Sequence, residues 1–159
     1  MEETKLGCLT MVLVVASGYF NPLHKGHIEY LEKAATLGDR LVVIVNNDVQ
    51  ACLKKGSTFM GEGDRIAVVR ALRCVDAAII ASDSDRTVCA TLRQLRPDIF
   101  ANGGDQFNTG IPEAPVCEEL GITMVDGLGA KIQSSSSILA GRGRAAAAAA
   151  AAVPVSDDA

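Results

Sequence analysis

Solid runs of apolar residues alternate along this chain with segments in which apolar positions recur every three or four residues. Leu9–Ala16 is the first such run, rich in β-branched residues, as suits a strand buried on both faces. It breaks at the turn-rich Ser17-Gly18-Tyr19-Phe20-Asn21-Pro22. Ile28, Leu31, Ala34, Ala35 and Leu37 then fall at helical spacing, and Gly38 offers a stop. A second strand, Leu41–Val45, ends at Asn46-Asn47-Asp48. Beyond it the pattern predicts a helix over Asp64–Leu72, a strand over Val75–Ala81 and a helix over Val88–Leu95 halted before Pro97. A short strand, Ile99–Ala101, runs into Asn102-Gly103-Gly104-Asp105; a helix over Pro115–Leu120 closes at Gly121, and Ile122–Val125 is the last strand.

Strands and helices in this alternation predict an α/β fold: a single Rossmann-like domain with a five-stranded parallel sheet and helices on both faces. Ligands of such sheets sit outside the carboxyl ends of the strands. Chemistry is therefore expected in the loops 17–27, 46–58 and 102–110, the stretches richest in Gly, Asn, His and Lys. Residues 1–140 read as the domain. Residues 141–159, with the alanine run Ala145–Ala152, read as a tail that is a frayed helix or disordered, because alanine favours helix but offers almost no face to bury.

Composition narrows the partners. A formal charge of −4 argues against a nucleic-acid partner, which calls for a basic face, yet leaves room for small phosphorylated ligands that need only local cations. No apolar run reaches the roughly 18 residues of a membrane span, and the acidic opening Met1–Thr4 is unlike a secretory signal. Cys8, Cys52, Cys74, Cys89 and Cys117 are dispersed and odd in number, which suits reduced thiols in a cytoplasmic protein, each a small buried hydrophobe. Aromatic residues make up only 4% of the chain, so a polar ligand held by hydrogen bonds is expected.

The chain has two histidines, His24 and His27, placed three apart where the first strand gives way to its helix. At that spacing both rings face one side of the first turn, beside unpaired amides and the positive end of the helix dipole. Gly26 between them lets a ligand approach the backbone closely. The combination points to anion binding.

Ser17 to His27 resembles the HxGH signature of the nucleotidyltransferase superfamily, especially its cytidylyltransferase-like members. Companions follow in the expected order: Gly38-Asp39-Arg40-Leu41 with Asn47-Asp48, Lys55-Gly56, Asp64-Arg65, Leu72-Arg73-Cys74-Val75-Asp76, Asn102-Gly103-Gly104-Asp105, and Lys131-Ile132-Gln133-Ser134-Ser135-Ser136-Ser137. The likeness spans roughly residues 10 to 140. It is similar to the glycerol-3-phosphate and ethanolamine-phosphate cytidylyltransferases and to the heptose-phosphate adenylyltransferase domain.

The resemblance implies that a nucleoside triphosphate reacts with a phosphorylated alcohol or sugar, releasing pyrophosphate. It makes His24, His27 and Lys55 catalytic. Nucleotide binding falls to Gly18, Tyr19, Phe20, Asn21, Gly26, Gly103, Gly104, Asp105, Ser134, Ser135 and Ser136, and substrate binding to Arg73 and Lys54. Mg2+ arrives with the triphosphate, without a dedicated protein metal site, and a homodimer is expected. The nucleophile is an anionic phosphate oxygen, so positioning and cations matter more than a general base. CTP is the favoured nucleotide and ATP the alternative; a catalytically silent nucleotide-binding subunit is a further alternative. Asn21 stands where cytidylyltransferases commonly carry Asp, Cys74 replaces an aromatic, and no Arg or Lys closely follows the serines.

Overall fold

The computed structural model describes residues 10–103 and 110–128. Its strands β1 (Leu13–Gly18), β2 (Arg40–Val45), β3 (Ala77–Ile80), β4 (Ile99–Gly103) and β5 (Thr123–Leu128) form one parallel sheet in the order β3-β2-β1-β4-β5. Helices α1 (Lys25–Ala35) and α3 (Glu62–Arg70) cover one face. There Tyr30, Leu31, Ala34, Ile66 and Val69 pack on Val14, Ala16, Val43, Val45 and Ala101. Helices α4 (Cys89–Leu95) and α5 (Ala114–Leu120) cover the other, where Leu92, Val116 and Cys117 meet Val15, Val42, Ile44 and Phe100. The predicted α/β architecture is the observed one. Solid apolar runs were needed because both sheet faces are core.

An additional helix, α2 (Asp48–Lys55), occupies the stretch predicted as the loop 46–58. Its signals are local. The Asn47 side chain accepts the Gln50 N–H at 2.9 Å as an N-cap, and Gly56 ends the helix at φ 78°. Cys52 is exposed on this helix and Cys74 and Cys89 are half-buried, so of the thiols described only Cys117 is the buried hydrophobe expected. Strand β3 is shorter than predicted and β1 starts later. Cys8, Gly104, Asp105, Ser134–Ser136 and the 141–159 tail lie outside the described residues.

The amino ends of the strands share one device. Asp39, Asp76 and Asp98 each stand immediately before a strand, and each carboxylate accepts a backbone N–H at or just before the start of the neighbouring strand. Asp39 takes Val12, Asp98 takes Leu13 and Asp76 takes Leu41, all at 2.7 Å. Charged acceptors on otherwise open strand ends strengthen the sheet margin. The motif residues Asp39 and Asp76 thus serve the pole opposite the crevice.

At the carboxyl pole, Arg65 is fully buried at 0% exposure. It donates to the carbonyls of Tyr19 (2.8 Å), Asn46 (2.6 Å) and Met60 (3.0 Å) and to the Asp48 carboxylate (2.7 Å). One guanidinium thereby joins the segments after β1 and β2 to the approach to α3. Arg65→Met takes the guanidinium from one buried and three part-buried acceptors at once. We expect a loss of about 3 kcal/mol in urea unfolding; a loss under about 1 kcal/mol would show that the acceptors find other partners.

Candidate active site

Strands β1 and β4 are neighbours whose chains leave in opposite directions across the sheet, so a crevice opens between their carboxyl ends. Tyr30 braces this point. Its hydroxyl donates to the Ala101 carbonyl at 2.6 Å and accepts the Ser17 N–H at 3.3 Å, and burial raises its pKa well above the usual tyrosine range. A Cβ on Gly103 would lie 2.7 Å from the Tyr30 ring, so Gly103 makes room for this brace.

The two imidazoles meet at the start of α1. Their rings stack with centroids 3.7 Å apart and planes 20° from parallel. The His24 N–H points to His27 Nδ1 at 3.3 Å. Because Nδ1 accepts, the neutral His27 ring carries its proton on Nε2, a donor available to an oxyanion. His24 Nδ1 is buried without a partner. A Cβ on Gly26 would stand 3.1 Å from His24 Cε1, so the glycine admits the His24 ring rather than only a ligand. No acidic residue occupies the first turn of α1, which leaves its positive end uncompensated by carboxylates.

Phe20 supports His27 from below. It is buried at 1% exposure in the left-handed region (φ 50°), and its ring meets His27 edge-on at 5.0 Å. A Cβ on Gly18 would fall 2.8 Å from that ring. Asn21 is also buried, and its Oδ1 accepts the Met60 N–H at 2.9 Å. Phe20, Gly18 and Asn21 therefore shape the loop.

Lys54 and Lys55 extend from the last turn of α2, not from a loop. The Lys54 ammonium lies 4.2 Å over the Tyr19 ring, and both lysines act electrostatically on His27. Burial, then the charges of His24, Lys54 and Lys55, push the His27 pKa down to about 4, and burial lowers that of His24. Arg73 does not join this group. It is exposed in the turn before β3, at the amino pole beside Asp76, away from the crevice between the carboxyl ends where substrate binding was expected of it.

Two residues not singled out from sequence do reach the site. Asn102, at the end of β4, is buried with its Nδ2 unpartnered. Arg86, in the loop after β3, is exposed and acts electrostatically on Tyr19, whose pKa burial raises and Arg86 lowers. Asn102 had a weak signal in its place before Gly103; Arg86 had none, since only the sheet order brings its loop to Tyr19. Positive groups, unpaired polar atoms and helix amides among the described residues thus gather at the carboxyl end of the sheet, an arrangement suited to holding a polyphosphate.

The low His27 pKa has a thermodynamic consequence. Between pH 6.5 and about 4 the unfolded chain binds a proton that the folded His27 does not, so stability falls as the pH drops through that window. With only two histidines to assign, ring-proton NMR should show His27 titrating near 4. His27→Gln should flatten the acid-side decline in unfolding stability; a midpoint at or above 6.5 would contradict the described packing.

Residues 15–126 match the cytidylyltransferase-like family. The bifunctional protein HldE of Streptomyces coelicolor is 38% identical over 80% of this chain, which spans only 28% of that longer protein. The D-beta-D-heptose 1-phosphate adenylyltransferase of Bordetella bronchiseptica is 40% identical over 72% of this chain and 72% of its own length. The FAD synthase of Thermoplasma volcanium is 35% identical over 80% of this chain and 92% of its own. With its stacked imidazoles at the head of α1 and this extent of similarity, the chain belongs to the cytidylyltransferase-like family of the nucleotidyltransferase superfamily.

Proposed function

We propose that this protein transfers the adenylyl group of ATP, bound as its magnesium complex, to the phosphate of a small phosphorylated acceptor. The observation that carries the reading is the His24–His27 pair, stacked at the start of α1 in the crevice between β1 and β4. An acceptor phosphate oxygen attacks the α-phosphorus. The bond to the bridging oxygen breaks, and its electron pair leaves with pyrophosphate.

In this reading His27 offers its Nε2 proton to the charge that grows on the phosphates, while His24, Lys54, Lys55 and the amides of α1 share the remaining charge. Because His27 is neutral in the free protein, it donates a hydrogen bond without first carrying a full charge. Asn102 Nδ2 supplies a further donor from β4. The family resemblance implies further nucleotide contacts from Gly104, Asp105 and Ser134–Ser136.

ATP replaces the CTP favoured on sequence motifs alone. Support comes from similarity to a protein named for adenylyl transfer and to one named for making FAD, an adenine dinucleotide. Heptose 1-phosphate is the acceptor in one of those names. A sugar phosphate and a flavin phosphate are therefore the acceptors to try first.

Pyrophosphate release assayed with ATP, CTP, GTP and UTP against sugar 1-phosphates and FMN tests the reading. We expect turnover with ATP and one acceptor class, and a fall in kcat on the order of 100-fold for His27→Ala. Turnover with CTP alone would overturn the nucleotide assignment. Nucleotide binding without turnover of any pair would favour a silent binding subunit.

A further inference from the structure

The sheet forks at its carboxyl end. β1 and β4 pair with each other only as far as Ala16 and Ala101, yet each strand runs two residues further. Beyond that point they pair outwards, Gly18 with Val45 of β2 and Gly103 with Leu128 of β5, the latter after an irregularity between Ala101 and Gly103. The Tyr30 hydroxyl lies in the base of the fork. It has the Ala101 carbonyl at 2.6 Å, the Ser17 N–H at 3.3 Å and the Ser17 carbonyl at 3.4 Å. Its ring takes the space that a Cβ on Gly103 would need. Tyr30 belongs to α1, the helix whose first turn carries the histidines, so one side chain ties that helix to both arms of the fork.

Asn102 stands on the β4 arm. Ala101 packs in the core beneath α1 and α3, and Gly103 faces the Tyr30 ring. Side chains alternate along a strand, so Asn102 between them turns to the other face, where Phe100 packs under α4 and α5. It is 6% exposed, and its Nδ2 has no hydrogen-bond partner among the described residues. A donor left unpaired in this way is costly in a folded protein, and its retention beside a crevice calls for an acceptor that arrives with a ligand. The histidines come to the crevice from the α1 side. A group seated over the fork is therefore addressed from both faces of the sheet.

In a displacement at phosphorus the attacking and leaving oxygens share one line, and the three other oxygens spread around it. Donors that hold those oxygens from two sides fix the line without blocking it. We propose that Tyr30 is a positioning residue for the transfer: its hydroxyl holds the fork so that Asn102 Nδ2 donates to a non-bridging oxygen of the α-phosphate, from the face opposite the histidines. This role rests on the proposed adenylyl transfer and adds to it the group that sets the spacing of the two faces. Tyr30 touches no substrate. It acts through Ala101, the neighbour of Asn102, and through Ser17, the neighbour of Gly18.

Tyr30→Phe, Asn102→Ala and the double variant of the full chain test this role. Tyr30→Phe should lower kcat about 10-fold and leave the KM of ATP within about two-fold. The double variant should be within about two-fold of Asn102→Ala alone, because the hydroxyl acts through that amide. The Sp and Rp isomers of ATPαS, in which sulfur replaces one or the other non-bridging oxygen, give a readout that loosened packing does not move. Asn102→Ala should change the wild-type preference between them about 10-fold, and Tyr30→Phe should change it in the same direction. Side-chain amide signals in 1H–15N spectra, assigned to Asn102 by their loss in Asn102→Asp, report binding without turnover. They should move when α,β-methylene-ATP is added with Mg2+. Equal slowing of both isomers, additive losses in the double variant, or an Asn102 amide unmoved by saturating nucleotide overturns the positioning role. Wild-type turnover matched by Tyr30→Phe overturns that role alone. An Asn102 amide that moves in a protein turning over no triphosphate with any acceptor overturns the reaction, and the role in it.

Discussion

A guanidinium without solvent contact decides where the crevice walls stand. Arg65 spends its donors on the carbonyls of Tyr19, Asn46 and Met60 and on the Asp48 carboxylate, and these acceptors belong to segments far apart in sequence. A charge buried in this way is costly unless its hydrogen bonds are met, and here they are met by the groups whose positions matter. The Tyr19 carbonyl sets the entry to the histidine turn, Asn46 the end of β2, Asp48 the start of α2. Donors and cations fixed before a ligand arrives need little reorganisation as charge moves, which is the condition for electrostatic help to a phosphoryl reaction.

The histidine pair depends on this frame through its immediate neighbours. Gly18 admits the Phe20 ring, Phe20 supports His27, Gly26 admits His24, and the His24 amide fixes the His27 tautomer. The glycines of the HxGH stretch are thus used by the protein's own rings. Packing so close keeps His27 neutral when free, yet leaves Nε2 as a donor. The same packing makes the pair sensitive to changes of a single methyl group at Gly18 or Gly26.

Much of this was legible in sequence, for identifiable reasons. Strands buried on both faces must be solid apolar runs, so Leu41–Val45 or Ile99–Ala101 could be read directly, and their order fixed the crevice end. Helix α2 escaped although Val49, Cys52 and Leu53 fall at helical spacing between the Asn47 cap and the Gly56 stop; it is only eight residues long, those apolar side chains are exposed, and the face it buries carries Gln50 and Ala51. The place of Arg73 was not legible, because a motif match says nothing about which pole of the sheet a residue occupies; Asp76, three residues on, serves the amino ends. Arg65 was visible only as part of a motif. Its partners at Tyr19, Asn46 and Met60 are set by tertiary register, which no local pattern encodes. Spacing does not choose the nucleotide, since cations and amides suited to phosphates are indifferent to the base.

The most direct measurement is 15N NMR of the imidazoles as α,β-methylene-ATP is added in the presence of Mg2+. The account predicts that the Nε2 signals of both His24 and His27 shift, that His27 keeps its Nε2-protonated form, and that its pKa climbs from about 4 toward neutrality as phosphate charge arrives. Saturation of the protein with nucleotide while both rings and the His27 pKa stay unchanged would contradict it.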